Sequence, residues 1–395
     1  MFVTDALTTA EAPPLTARLT LDRLATPCLV LDADRMERNV ARLRDRLRRF
    51  DVTLRPHLKT GKSVEVARAV MESPAGPATV STLKEADQFA AAGVRDIIYA
   101  VGIAPDKLDR VLDLRASGVD LAIVLDTLEQ AEAVAAASRR AGVRIPALIE
   151  IDCDGHRSGV VPTDAERLIA IGRALASDAE LRGVLTHAGG SYGARGAAAL
   201  EACAEEERRA VAGAAAILRT AGLDCPVVSV GSTPTAHHAT DLTGVTEVRA
   251  GVFVFFDLVM AGIGVCAIDD IALSVLATVI GYQRDKGWIL TDAGWMAMSR
   301  DRGTANQAVD QGYGIVCDLA GRPYPDLIVA DANQEHGIMA VRPGSGGVLP
   351  ELAIGDRVRI LPNHACSTGA QHPGYNVVRG DSPVVEAEWP RFGGW

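Results

Sequence analysis

The chain has 395 residues, 48% of them hydrophobic, with 50 acidic against 40 basic side chains and a net charge of −10. The length accommodates one large domain and a smaller one around a substantial core, and the acidic balance, without a basic stripe interleaved with aromatics, argues against a nucleic-acid partner. Met1–Thr20 carries acids and prolines in place of a long apolar run, which predicts neither a secretion signal nor a membrane span, and seven scattered cysteines fit a reducing cytoplasm better than a disulfide framework.

From residue 52 to residue 251, strand and helix patterns alternate. The predicted strands are Val52–Lys59, Ala78–Leu83, Asp96–Gly102, Asp120–Asp126, Pro146–Asp152, Arg182–Ala188, Val227–Ser232 and Val245–Gly251. Ala-, Arg- and Glu-rich segments of helical period lie between them, such as Val64–Met71, Thr127–Ala141 and Ala197–Ala221. Gly93, Gly118 and Gly222 stand where helices should stop. Eight such units predict an α/β fold, a (β/α)8 TIM barrel, with a short last helix. An open doubly wound sheet is the alternative, but no Gly-x-Gly-x-x-Gly fingerprint follows an early strand. After about residue 262 the pattern changes to strand-like runs punctuated by Gly and Pro, including Ala272–Tyr282, Gly287–Asp292 and Arg357–Leu361, which predicts a β domain.

The first barrel strand carries the most telling segment, Arg55-Pro56-His57-Leu58-Lys59-Thr60. Alternation puts Arg55, His57 and Lys59 on one face. A lysine ending an inner strand is expected to be desolvated, which favours the free amine that forms a Schiff base; Lys62, opening the next helix, is not so placed. In a barrel, chemistry gathers at the C-terminal strand ends. Here they read Asp154-Gly155-His156-Arg157-Ser158-Gly159 after the fifth strand and His187 to Tyr192 after the sixth. Gly231-Ser232-Thr233 follows the seventh, and Arg249-Ala250-Gly251 ends the eighth. Backbone N–H groups and hydroxyls after strands seven and eight can converge on a phosphate.

A phosphate site facing a strand-end lysine is what pyridoxal 5′-phosphate (PLP) requires. Arg157 could face the pyridine nitrogen, where a donor-only guanidinium would keep that nitrogen unprotonated and weaken the ring as an electron sink. A salt bridge to Asp152 or Asp154 is its ordinary alternative. A Lewis acid could supply the missing help. His364-Ala365-Cys366, after the strand Arg357–Leu361, offers an imidazole and a thiolate on one face of an extended segment. That donor pair suits zinc and leaves positions open for water and substrate; the everyday reading is a buried cysteine beside a satisfied histidine.

Taken together, these segments resemble the metal-activated fold-type III PLP enzymes acting on D-3-hydroxy amino acids: D-serine dehydratase, D-threo-3-hydroxyaspartate dehydratase and D-threonine aldolase. The likeness runs from Thr26-Pro27-Cys28-Leu29-Val30-Leu31-Asp32 to the C-terminal metal segment. It implies an alanine-racemase-like barrel over 27–262, with 1–26 and 263–395 forming a β domain that carries the metal site. It implies a homodimer that binds a small-molecule substrate and no membrane. It makes Lys59 the catalytic, PLP-bearing residue, with His57, Arg157, Tyr192, Ser232, Thr233, Gly251 and Phe253 around the cofactor. His364 and Cys366 become ligands of a divalent ion, zinc by preference, with magnesium or manganese as alternatives. Asp292-Ala293-Gly294 and Glu335-His336-Gly337 match landmarks of the β domain, while Asp301, Glu335 and His336 receive no role. Gly61 stands where the family often has His, and Phe253 where it often has Tyr.

The expected reaction is loss of water from D-serine, D-threonine or D-threo-3-hydroxyaspartate, giving a 2-oxo acid and ammonia. The His-x-Cys pair matches the dehydratase branch, whereas the aldolase branch more often shows His-x-Asp. An aldolase yielding glycine and an aldehyde is the chief alternative. An amino-acid racemase ranks lower, since it needs a second base and no metal.

Overall fold

The computed structural model describes residues 19–395. All eight barrel strands form, as Thr53–Pro56, Ala78–Val80, Asp96–Gly102, Asp120–Leu125, Pro146–Ile151, Glu180–Thr186, Val227–Val230 and Glu247–Ala250. They pair in parallel, the first strand beside the eighth and each remaining strand beside its sequence neighbour. The first and second strands meet through a single bridge, His57 with Thr79, and through Leu58 N–H donating to the Thr79 carbonyl at 2.8 Å. The barrel is therefore nearly closed, and its seam lies beside Lys59.

Local chemistry explains the crossover helices. Thr127 and Gln130 cap Leu128–Ala141 reciprocally, and Gly142 ends it in the left-handed region at φ 65°. After the eighth strand, however, the chain makes only the five-residue helix Leu258–Gly262. Its place beside the barrel is taken by Ala33–Arg48, which precedes the first barrel strand and packs on the turn Val252–Val254 and the helix Thr233–His238. Asp32 caps that helix by accepting from Arg35 N–H. Met36, Val40, Leu43 and Leu47 line its buried stripe, each worth roughly 1.5–3 kcal/mol of burial.

The β domain has six antiparallel strands that close on themselves: Leu273–Gln283, Trp288–Thr291, Gly337–Val341, Pro323–Ala332, Gly314–Cys317 and Arg357–Pro362. Leu273–Gln283 also pairs with Cys28–Asp32, which lies parallel to Gly374–Val378. The boundary expected at residue 27 thus moves: Cys28–Asp32 belongs to the second sheet, since its backbone partners lie there. Thr20 bridges Val384 in the same region, while residues 1–18 of the expected N-terminal part lie outside the described residues.

The two unassigned landmarks form one junction. A Cβ on Gly294 would lie 2.3 Å from the Asn333 carbonyl oxygen, and one on Gly337 would lie 2.5 Å from that of Ala293. Only glycine lets the two loops touch backbone to backbone. Asp292 accepts hydrogen bonds from Thr26 Oγ1 at 2.6 Å and Thr278 N–H at 2.8 Å. Glu335 and His336 are exposed at the hairpin tip. Among the described residues, no helix is long and apolar enough to cross a membrane.

Candidate functional site

A cavity of about 420 Å³ opens where the C-terminal ends of the barrel strands meet the β domain. His57, Lys59, Arg157, Tyr192, Ser232, Thr233, Gly251, His364 and Cys366 all line it. Phe253 does not: its side chain is buried in the core, and its N–H donates to Thr233 Oγ1 at 3.3 Å. Lys59 also departs from expectation. The first strand stops at Pro56, so Lys59 stands in the following turn and is exposed rather than desolvated. Lys62 instead pairs with buried Glu85 at 3.1 Å.

Two serines and two glycines shape the ends of strands six to eight. Ser191 Oγ and Ser232 Oγ are 2.9 Å apart. Gly231 has φ +150°, and a Cβ there would sit 1.9 Å from the Arg249 carbonyl oxygen, so no other residue fits. A Cβ on Gly251 would press within 3.1 Å of Thr60 Oγ1 and 3.3 Å of the His57 Cβ. Beneath this floor runs a buried polar chain. Arg249 Nη1 donates to Ser229 Oγ at 2.5 Å, and Ser229 donates to Glu247 at 2.7 Å. Arg55 then joins Glu247 at 2.7 Å and Asp96 at 2.6 Å. These mutual partners satisfy charges that burial alone would make costly.

Arg157 takes neither partner expected of it. Its guanidinium is 60% exposed and reaches Glu150 at 3.2 Å, also on the cavity wall. Its loop docks on the sixth strand end, where Gly190 N–H donates to Asp154 Oδ2 at 2.7 Å. Tyr192 lies over His187 with ring centroids 6.3 Å apart, and burial pushes its phenol up, keeping it neutral.

The segment after Arg357–Pro362 brings His364 and Cys366 over the barrel mouth. It is not extended throughout, as the His-x-Cys pattern suggests; His364 caps a short helix, Ala365–Gly369. His364 itself keeps extended backbone, and His364 and Cys366 still line the same cavity. Barrel residues hold the segment. Val259 N–H donates to the Asn363 carbonyl at 3.2 Å, and Ala365 N–H donates to Asp257 Oδ2 at 3.0 Å. Thr60 Oγ1 lies 3.2 Å from Cys366 Sγ.

Asp301, without a role in the sequence reading, accepts from His364 Nδ1 at 2.6 Å. That bond fixes the ring and leaves Nε2 for the cavity. Burial opposes charge on His364, yet Asp301 and Cys366 raise it to about 11. Burial likewise opposes a thiolate at Cys366, but His364, Lys59 and Thr60 hold the thiol below its ordinary value.

His187 and His57 add two neutral imidazoles. Burial pushes His187 down to about 4, and its Nδ1 donates to the Gly231 carbonyl at 2.8 Å. Burial, then Lys59 and Arg249, push His57 well below the ordinary imidazole range. The folded His187 resists protonation while the unfolded one accepts a proton near 6.5, so its contribution is intact above 6.5 and is lost as pH falls toward 4. At about 1.4 kcal/mol per pH unit, His187→Gln should lose roughly 2 kcal/mol less stability than wild type between pH 7 and pH 5. Denaturant titrations at the two pH values check this, and an identical loss in both proteins would count against it.

Two family models match the chain: "Alanine racemase, N-terminal domain" over residues 31–259 and "Putative serine dehydratase domain" over residues 272–378. The D-threo-3-hydroxyaspartate dehydratase of Delftia sp. (strain HT23) is 56% identical over 379 residues, covering 95% of this chain and 99% of that protein. Its solved structure superposes with a TM-score of 0.91, covering 95% of this chain and all of that one, at 56% identity. A D-threo-3-hydroxyaspartate dehydratase cysteine-to-alanine mutant, solved in the metal-free form, has a TM-score of 0.92 and 55% identity, covering 96% of this chain and all of that one. The D-threonine aldolase of Filomicrobium marinum follows at a TM-score of 0.80 and 25% identity, covering 96% of this chain and 98% of that one. With both domains matched in order and 95% of the chain covered by a relative at 56% identity, this protein belongs to the fold-type III PLP enzymes acting on D-3-hydroxy amino acids, the family of the dehydratases and aldolases named above.

Proposed function

We propose that this chain is a PLP- and metal-dependent lyase that removes water from a D-3-hydroxy amino acid, with D-threo-3-hydroxyaspartate the favoured substrate. The observation that carries this reading is that Lys59 from the barrel and the His364/Cys366 pair from the β domain face one cavity. The relative with 56% identity is named for that substrate, which supports the choice.

The residues fit both groups. For PLP, the cavity volume lies within the small-molecule range, and Lys59 is the lysine on its wall. Ser191, Ser232, Thr233 and the tight Gly231 and Gly251 turns offer hydroxyls and close backbone to a phosphate. For the metal, the His364 imidazole and the Cys366 thiol, held below its ordinary value, are a zinc-type donor pair that would hold a divalent ion. Two protein ligands would leave positions open for water and substrate. The metal-free relative is a cysteine mutant, which supports the same assignment.

When bound, the cofactor supplies an electron sink at Cα and the cation a Lewis acid at the β-hydroxyl. The chain's own residues do the rest. Lys59 holds the cofactor at rest, and its freed amine takes the Cα proton. Asp301 keeps His364 in the tautomer whose Nε2 can ligate. Arg157, next to Glu150, would lie near the ring nitrogen as a pure donor. The neutral imidazoles of His57 and His187 add no positive charge that would compete for the substrate carboxylate. Loss of water leaves an enamine that hydrolyses to a 2-oxo acid and ammonia.

The test is a screen of D-3-hydroxy amino acids with ketoacid, ammonia and aldehyde readouts, with and without chelator. Equimolar 2-oxo acid and ammonia, lost on chelation, is the expected result. Glycine and an aldehyde would replace dehydration by the aldolase reaction, and racemisation without metal would overturn the proposal.

A further inference from the structure

Glu207 is a carboxylate that the chemistry above does not use. It sits on the long helix Ala197–Thr220, is only 2% exposed, and is not part of the cavity wall. One oxygen, Oε1, accepts two backbone N–H groups: Ala188 at 3.1 Å and Gly231 at 2.9 Å. These residues are the first steps of the chain beyond strands six and seven, where the parallel ladder between those strands has already ended. Both amides lie in buried surroundings and need an acceptor. Glu207 supplies one acceptor for both, so it clamps the two strand ends together.

The clamp lies directly behind the hydroxyl cradle. Ser191 Oγ donates to the Ala188 carbonyl at 2.7 Å, and Ser191 and Ser232 hydroxyls meet at 2.9 Å. His187 adds a third tie, to the Gly231 carbonyl. Ser232 follows Gly231 directly, so moving Gly231 moves the cradle. A carboxylate behind an anion site is electrostatically unfavourable unless it does something a neutral apolar residue cannot. Burial raises its proton affinity, while the Thr235 hydroxyl, the two amides and Arg249 offset that cost.

We propose that Glu207 is a positioning residue for the cofactor phosphate, setting the spacing of the strand-six and strand-seven loops through its shared acceptor oxygen. This rests on the PLP reading above. It requires hydrogen-bond acceptance and not charge, so Glu207→Gln should preserve it and Glu207→Ala should not.

The experiment titrates cofactor-depleted wild type and variants with PLP and, separately, with pyridoxal, following visible absorbance. Pyridoxal lacks the phosphate but can still react with Lys59. Glu207→Ala should weaken PLP about tenfold or more, with pyridoxal changed by less than about threefold. Glu207→Gln should stay within about threefold of wild type for both. An equal loss for both probes would mark a merely structural role and overturn the proposal, as would an unchanged PLP affinity in Glu207→Ala or a selective PLP loss in Glu207→Gln. If Glu207→Ala does not fold, Glu207→Asp, one methylene short of both amides, takes its place with the same expected selective loss. Wild type that binds no PLP overturns the parent reading and this one together; wild-type binding with unselective variants overturns this one alone.

Discussion

Lys59→Ala should lower turnover by roughly 10²–10⁴-fold, the range of a lost general base, on top of losing the covalent hold on the cofactor. The motivation is geometric. Lys59 is exposed into the cavity at the barrel seam, whereas Lys62 is paired with buried Glu85. Lys62→Ala should therefore keep its activity and lose stability instead, because Glu85 is left as a buried carboxylate without its cation. Borohydride reduction and peptide mapping give an independent reading: the cofactor adduct should sit on Lys59. A label on Lys62, or near-normal turnover in Lys59→Ala, would falsify the assignment.

How far the sequence spoke differs between elements. Most of the barrel strands were legible because a short strand-like run is followed by helix-period sequence and a stop signal, all of them local features. Cys28–Asp32 was not separable from them. Its run Cys-Leu-Val-Leu-Asp looks like any buried strand, and only pairing with Leu273–Gln283 and Gly374–Val378, hundreds of residues away, assigns it to the other sheet. The short last helix was legible, as Leu258–Gly262; that Ala33–Arg48 packs in the space beside it was not, because it comes from the other end of the barrel.

In the site, residues at strand ends were legible, since barrel geometry dictates where those ends gather. Lys59, Ser232, Thr233 and Gly251 were expected on this ground, and all four line the cavity, Lys59 from the turn after its strand. Phe253 was placed by resemblance to an aromatic position, and the structure puts its ring in the core. Asp301 and Asp257 escaped notice because their partners, His364 and the Ala365 amide, are more than sixty residues distant in sequence. Asp257 did carry a faint signal: an Asp directly before an apolar helical run is a cap candidate. The short helix Ala365–Gly369 was invisible because one turn has no measurable period.

His364→Ala and Cys366→Ala should each abolish dehydration while leaving PLP bound. Hydroxide is a poor leaving group, and on the proposed reading a donor-only Arg157 near the ring nitrogen would leave little carbanion stabilisation from the ring. The cation is therefore asked for several kcal/mol, and its loss should cost roughly 10³-fold or more in rate. Cofactor retention is expected because Lys59 and the proposed phosphate cradle stand on the barrel, while the two proposed ligands arrive on the β-domain segment. The ordinary alternative makes Cys366 a packing residue. Then Cys366→Ala would lower the melting temperature and leave metal content unchanged. Its neighbours argue otherwise: a packing cysteine has its thiol raised by burial, as Cys317 does, pushed up to about 12, whereas Cys366 is lowered beside His364, Lys59 and Thr60. Metal analysis of wild type and both variants, with visible spectra for bound cofactor, separates the two cases. Wild type should hold one divalent ion per chain, and both variants should lose it with the aldehyde-derived absorbance intact. Full dehydratase activity in metal-free enzyme would overturn the mechanism outright.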